Sequence, residues 1–207
     1  MKKALFFGGS FNPVTVAHVA LADFVRQQMG FDYVIFVPAK SHYILSTEKK
    51  SFSFSEQERL EMLKKVSLSH PWMLVSSLEI DSPVQPRTYL TLKTLREEGY
   101  ELKLLFGSDW LKKLSSDWLY IKEICQEFGI VVMKRNNDRL TEVIDNDEYL
   151  TSIKPYLTLI ETPDFFQGVS STKIREAIVN GNLNEEVKRM IPQELDGLEA
   201  YLGRDEK

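Results

Sequence analysis

Ala4-Leu5-Phe6-Phe7-Gly8-Gly9-Ser10-Phe11-Asn12-Pro13-Val14-Thr15-Val16-Ala17-His18 is the stretch from which the architecture reads outward. An apolar run of strand length stops at a glycine pair, and a segment of helical period follows. Val16, Val19, Ala20, Phe24 and Met29 fall near one face of a helix over Val16–Met29, with Gly30 as its C-cap. The glycines remove β-carbons that would keep a ligand from the backbone, and the amides of the helix start can receive an oxyanion. The loop is neither a P-loop nor a dinucleotide fingerprint, because Gly-x-x-x-x-Gly-Lys and Gly-x-Gly-x-x-Gly are both absent. His18 lies in the first turn of the helix, where the dipole disfavours an imidazolium by ~0.3–1 kcal/mol unless an anion shares the site. Alone, it reads as a neutral histidine satisfied by a carbonyl, and the glycine pair as a tight turn.

Beyond this unit, apolar runs alternate with helical segments. Tyr33–Val37, closed by Pro38, reads as a second strand. Ser55-Glu56-Gln57-Glu58 is a capping box opening a helix through Leu60, Met62, Leu63 and Val66. Leu74–Ile80 predicts a strand, Tyr89–Glu98 a helix ended by Gly99, and Leu102–Phe106 a strand ended by Gly107. A helix from about Trp118 to Phe128, strands at Ile130–Met133 and Leu157–Ile160, and a helix over Ser170–Asn180 complete the series. Residues 184–202 read as a wholly helical tail. The alternation predicts one α/β domain over residues 1–207: a doubly wound, mostly parallel, Rossmann-like sheet with helices on both faces. In such sheets ligands sit at the carboxyl ends of the strands, where the strand order switches.

The composition suits a soluble globular chain, with 43% hydrophobic and 27% charged residues among 207. A net charge of −4 gives no basic stripe for nucleic acid. The apolar N-terminal run is shorter than the ~7–15-residue core of a signal peptide, and nothing approaches the ~18 apolar residues of a membrane span. A cytoplasmic protein is expected. The single cysteine, Cys125, can form neither an internal disulfide nor a cysteine zinc cluster, and its apolar neighbours mark it as buried filler.

A second loop, Gly168-Val169-Ser170-Ser171-Thr172-Lys173-Ile174-Arg175, sets three hydroxyls and two bases at a helix start. Cations are ordinarily favoured at the other end of a helix, so this cluster points to polyphosphate. Arg175 offers a planar fork for phosphate oxygens, and Lys173 a point charge. A serine N-cap with two solvated bases explains one hydroxyl and leaves the rest of the cluster unexplained.

With both loops in view, the chain resembles the nucleotidylyltransferase superfamily, whose signatures are Gly-Gly-(Ser/Thr)-Phe-(Asp/Asn)-Pro-x-(His/Thr)-x-Gly-His and Ile-Ser-Ser-Thr-x-Ile-Arg. They stand here as Gly8–His18, with Ala17 for the glycine and Thr15 at the His/Thr position, and as Val169–Arg175. Within the superfamily the chain is similar to nicotinate- or nicotinamide-nucleotide adenylyltransferases over nearly its whole length. Supporting segments are Gln57–Leu63, Phe106-Gly107-Ser108-Asp109, Trp118, Val132-Met133-Lys134-Arg135, Glu176–Gly181 and Met190-Ile191-Pro192. The Pro-Pro-His-Lys segment of many bacterial members is replaced by Pro38-Ala39-Lys40-Ser41-His42, and their Ser-Tyr-Thr-x-Asp-Thr-Leu by Arg87-Thr88-Tyr89-Leu90-Thr91-Leu92.

The resemblance implies transfer of the AMP moiety of ATP to a pyridine mononucleotide, nicotinate mononucleotide being favoured, with release of pyrophosphate in NAD biosynthesis. It implies His18 on the α-phosphate, and Ser170, Ser171, Thr172 and Arg175 on the β- and γ-phosphates. Gly8, Gly9, Ser10 and Phe11 would line the cradle, and Gly107 and Asp109 would lie at the adenosine, with Asp109 either accepting ribose hydroxyls or capping the next helix. Lys40, His42, Thr88, Trp118 and Arg135 would serve the mononucleotide. Trp118 would stack on the pyridine, with Trp110 and Trp72 as alternatives, and Arg135 would meet phosphate or form a surface salt bridge. Mg2+ is expected to arrive with ATP, with no dedicated protein metal site. No nucleic acid or membrane partner is expected, and monomer and homo-oligomer stay open. Pantetheine-phosphate adenylyltransferase, a cytidylyltransferase or a non-catalytic nucleotide sensor are the rival readings.

Overall fold

The computed structural model describes residues 1–42, 53–111, 113–114, 118–134 and 139–198. Strand β1 (Lys2–Gly9) buries Ala4, Leu5, Phe6 and Phe7 and runs on through both glycines, two residues beyond the apolar run. Helix α1 (Val16–Met29) has the predicted bounds. Gly30 ends it at φ +65°, a left-handed conformation open to glycine without a Cβ penalty. Strand β2 (Tyr33–Pro38) is buried from Val34 onward.

Helix α2 (Glu56–Ser67) opens on the predicted capping box: Glu58 N donates to Ser55 Oγ at 3.2 Å, and Ser55 N to Glu58 Oε2 at 2.8 Å. The strand expected over Leu74–Ile80 is corrected to a three-residue β3 (Met73–Val75) followed by a helical turn, α3 (Leu78–Asp81). Ser76 and Ser77 divide the apolar run, and Ser77 Oγ donates to Asp81 Oδ2 at 2.6 Å, closing a turn instead of extending a strand. Helix α4 (Thr88–Glu97) and strand β4 (Tyr100–Gly107) follow, then α5 (Ser108–Leu111). Helix α6 (Ile121–Glu127) begins three residues later than the pattern predicts, after Tyr120 at φ +67°. Strand β5 (Ile130–Lys134) leads to two helices not foreseen, α7 (Leu140–Asp145) and α8 (Glu148–Ile153), before strand β6 (Leu157–Glu161).

Helix α9 (Ser171–Val179) is followed by the tail, where a continuous helix was expected. The structure has a four-residue α10 (Glu185–Lys188) and a 3₁₀ turn at Gln193–Leu195. Pro192 lacks the N–H a helix would need, and Gly197 stands at φ +81°. Residues 199–202 of that expectation lie outside the described ones.

The strands form one six-stranded sheet in the order β3-β2-β1-β4-β5-β6, the expected parallel α/β architecture. The order turns back at β1 and β4, a parallel pair with Ala4 opposite Leu102 and Phe6 opposite Leu104. The chain divides into two compact units, each drawing on separated segments. The first takes Met1–Gly8, Leu21–Ile35 and the described part of Pro86–Gln167. Its core is the apolar centre of β4 and β5 with Leu92 and Leu95 of α4 and Ile124 and Cys125 of α6. Each such side chain contributes roughly 1.5–3 kcal/mol on burial. The second takes Gly9–Ala20, the described part of Phe36–Gln85, and the described residues from Gly168 onward. There α2 packs on β3 and on the Gln193–Leu195 turn, and α9 packs on α10. Among the described residues no helix is long and apolar enough to cross a membrane.

Candidate active site

The second unit holds the second signature loop and, from Gly9 onward, the first. In the first, Phe11 stands at φ +42°, a region that costs a non-glycine residue about 1–3 kcal/mol. Its buried ring meets His18 edge-on at 5.4 Å between centroids and lies 5.3 Å from Phe36. The space a β-carbon would occupy at Gly9 is taken by that ring, 3.2 Å away, and at Gly8 by Phe6 Cε1, 2.9 Å away. The glycine pair therefore makes room for the protein's own aromatics.

Thr15, almost wholly buried, is the cap of α1, accepting from His18 N at Oγ1 over 3.3 Å. Its own N–H points at His18 Nδ1, 3.1 Å away, and its Oγ1 lies 2.8 Å from the same nitrogen. A backbone N–H can only donate, so Nδ1 carries the lone pair and the neutral ring holds its proton on Nε2.

In the second loop each hydroxyl has a partner within the protein. Ser170 Oγ accepts from Thr172 N at 3.2 Å, capping α9. Ser171 Oγ donates to the Pro13 carbonyl at 2.9 Å. Thr172 Oγ1 accepts from Arg175 Nη2 at 3.0 Å, while Arg175 Nη1 donates to the Asn12 carbonyl at 2.7 Å. Arg175 is 8% exposed. Two links from α9, to Pro13 and Asn12, thus tie the start of that helix to the loop leading into the histidine turn. Lys173 is exposed.

Asn12, fully buried, also accepts from Phe54 N at Oδ1 over 2.9 Å. Phe54 O in turn accepts from Arg59 Nε at 3.2 Å. Arg59 was not singled out as a site residue by sequence, although Arg59, Leu63 and Val66 recur at helical spacing and so put a charge in line with the apolar stripe of α2. It is fully buried and donates to Ser10 O at 2.8 Å and Ala39 O at 2.6 Å.

Of the residues implied for the mononucleotide, Lys40 donates to Ile80 O at 2.6 Å and pairs with Glu56 Oε2 at 3.6 Å, engagements that do not use all three donors of its ammonium. His42 is exposed, and Arg135 lies outside the described residues.

Gly107, Asp109, Thr88 and Trp118 belong to the first unit. Gly107 ends β4 opposite Met133, and Asp109 is exposed within α5, not a cap before it. Thr88 begins α4. Trp118 lies nearly parallel to Trp110, with centroids 6.4 Å apart and 20° between planes. Trp72 packs edge-on against His70 in the second unit.

A parallel α/β sheet whose first strand feeds a capped histidine turn, tied to a helix start bearing serines and arginine, places the protein among the nucleotidyltransferases. The chain belongs to the Cytidylyltransferase-like family, whose model matches residues 6–177. A probable nicotinate-nucleotide adenylyltransferase of Clostridium perfringens is 34% identical over 200 residues, covering 93% of this chain and 92% of that one. One of the same description from Fusobacterium nucleatum is 28% identical over 200 residues, covering 93% and 98%. Among solved structures, the nicotinic acid mononucleotide adenylyltransferase of Plasmodium falciparum complexed with NaAD shares the fold with a TM-score of 0.72. Its identity is 21%, with 97% of this chain and 98% of that chain covered.

Proposed function

We propose that the protein transfers the AMP moiety of ATP to nicotinate mononucleotide, releasing pyrophosphate, as a step of NAD biosynthesis. The observation that carries this reading is the double tie of Arg175 to Asn12 and Ser171 to Pro13. It joins the two signature loops within one unit, and relatives of matching length bear that activity in their names.

A phosphate oxygen of the mononucleotide attacks the α-phosphorus of ATP. The bond from that phosphorus to the bridging oxygen of the β-phosphate breaks, and pyrophosphate leaves with the electron pair. The attacking group is already an anion, so no protein nucleophile is required. The chain's own work is positioning and neutralisation of charge. His18 donates from Nε2 to the α-phosphate as charge builds there, its ring held by Phe11 and Thr15. The start of α9, with Ser170, Ser171, Thr172 and Arg175, receives the departing phosphates. Gly8 to Phe11 line the cradle, and Gly107 and Asp109 serve the adenosine. Lys40, His42, Thr88, Trp118 and Arg135 serve the mononucleotide. Magnesium arriving on the triphosphate supplies further neutralisation. Among the described residues no group of three His, Cys, Asp or Glu side chains is assembled to hold a metal apart from it.

Purified protein given ATP, Mg2+ and either nicotinate or nicotinamide mononucleotide should release pyrophosphate, faster with the nicotinate form. Release only with phosphopantetheine, or only from CTP, would move the protein to another branch of the superfamily. Tight ATP binding without release with any acceptor would make it a sensor. Mononucleotide titration should quench Trp118 fluorescence, and an unaltered quench in Trp118→Phe would remove that residue from the site.

A further inference from the structure

Arg59 is the largest fully buried side chain in the described protein. Its fork spends donors on backbone carbonyls of three segments, two of them distant from it in sequence. Nη1 holds Ser10 O of the first signature loop at 2.8 Å, Nη2 holds Ala39 O of the segment after β2 at 2.6 Å, and Nε holds Phe54 O before α2 at 3.2 Å. Nη2 also reaches Ser41 Oγ at 3.3 Å. The turn of α2 that carries Arg59 grips the Ala39–Ser41 segment a second time, since Ser41 N donates to Glu56 Oε1 at 2.7 Å. Burying a guanidinium costs several kcal/mol unless it is fully hydrogen-bonded, and an apolar residue here would fill the helix stripe without that cost. A planar fork bonded to three separate carbonyls instead fixes the relative position of the loops that carry them. Ser10 belongs to the loop assigned above to ATP, and Ala39 to Ser41 border the residues assigned to the acceptor phosphate.

We infer that Arg59 is a positioning residue that couples the two substrate loops, so that ordering of the Ser10 loop by the triphosphate also orders the Ala39–Ser41 segment that receives the mononucleotide. The inference rests on the adenylyl-transfer reading for the identity of the two ligands. Arg59 touches neither substrate. It acts on the carbonyls of Ser10 and Ala39, and the link continues through Phe54 and Asn12 to Arg175.

The test is a binding cycle on the full chain. Affinity for the β,γ-imido analogue of ATP is measured by calorimetry with and without saturating nicotinate mononucleotide, for wild type, Arg59→Met and Arg59→Lys. Wild type should bind the analogue at least ~5-fold more tightly when the acceptor is present, the lower end of ordinary site-to-site coupling. Arg59→Met should abolish that factor. Arg59→Lys keeps the charge and reaches one carbonyl at a time, and should lose most of it, with affinity for each ligand alone changing little. If Arg59→Met does not fold, Arg59→Lys decides. A wild-type factor of one, or a factor undiminished in Arg59→Lys, overturns the inference.

Hydrogen exchange with the ATP analogue alone provides a readout independent of the acceptor. Protection should rise at residues 9–12 and at 39–41 in wild type, but only at 9–12 in Arg59→Lys. Equal spread in both proteins overturns the coupling even if the acceptor proves to be another molecule. Absence of acceptor binding with the expected exchange pattern would strike the acceptor assignment and leave the coupling standing.

Discussion

Arg175 Nη1 and the carbonyl of Asn12 are 2.7 Å apart and 163 positions apart in sequence. The bond joins the start of α9 to the loop that leads into the histidine turn. Because Arg175 is buried and also holds Thr172, its guanidinium braces the two loops in addition to the role proposed for it on the triphosphate. Arg175→Ala should weaken ATP binding, slow transfer and loosen the first loop together. Arg175→Lys, which cannot span Asn12 O and Thr172 Oγ1 with a fork, should repair the charge without restoring the rate. Steady-state kinetics over a range of ATP concentrations separates the effects, and unchanged ATP affinity and rate in Arg175→Ala would remove the assignment.

His18→Ala removes the donor assigned to the α-phosphate. By analogy with the loss of one oxyanion donor, turnover at saturating substrates should fall ~10²–10³-fold. Wild-type turnover in this variant would show that the imidazole takes no part. Thr15→Val keeps the backbone N–H that sets the ring's tautomer and loses the hydroxyl, both as the cap on His18 N and as the partner 2.8 Å from Nδ1. Its expected cost is about 1 kcal/mol of stability, with a much smaller loss of rate.

Asn12→Ala strands the buried N–H of Phe54, at a cost of ~1–3 kcal/mol. Asn12→Asp retains an acceptor at the same atom and should stay close to wild type. Thermal melts of the two variants side by side check the contrast, and equal melting temperatures would mean that the Asn12 side chain is not holding Phe54.

The parallel sheet is legible because its strands are unbroken apolar runs, and α1 and α2 because each carries a terminus signal, Gly30 in one and the Ser55–Glu58 box in the other. Helices α7 and α8 escape a search for periodicity, since six residues complete fewer than two turns. The Asp147 cap of α8, which accepts from Leu150 N at 2.9 Å, was the available signal. At the site, both loops are visible as motifs, yet sequence does not say which hydroxyl spends itself inside the protein. Ser171 on Pro13 is a tertiary bond with no local pattern. Nor does sequence show that Lys40 also donates to Ile80 O and pairs with Glu56.

Two groups in the first unit should shape stability against pH. Burial pushes the Cys125 thiol up to about 11. The unfolded chain gives up this proton first, so the folded state is at no disadvantage below the ordinary thiol pKa and loses stability as pH rises from there towards 11. The slope reaches at most ~1.4 kcal/mol per pH unit. Cys125→Ala should flatten denaturant midpoints across that window, and an unchanged slope would assign the loss to other groups.

At the acid end, the Tyr89 hydroxyl, then Arg96, donate to Glu127 and lower its carboxyl pKa. That contribution is present above the ordinary carboxylate range and fades as pH falls through the lowered folded value. Glu127→Gln should therefore narrow the gap between midpoints at neutral and acidic pH. A gap as wide as that of wild type would show that this pairing adds nothing in solution.

Strand β1 lies inside the sheet, with β2 on one side and β4 on the other, so Lys2 waits for Tyr100 and Phe7 for Leu105. During synthesis Ala4–Phe7 therefore leaves the ribosome well before the strand that covers its second edge. Until the chain has grown past residue 105, one edge of Ala4–Phe7 offers its amides and carbonyls to any passing strand. A nascent chain stalled before that point should be a better client for a holdase than one whose strands have all emerged through β6.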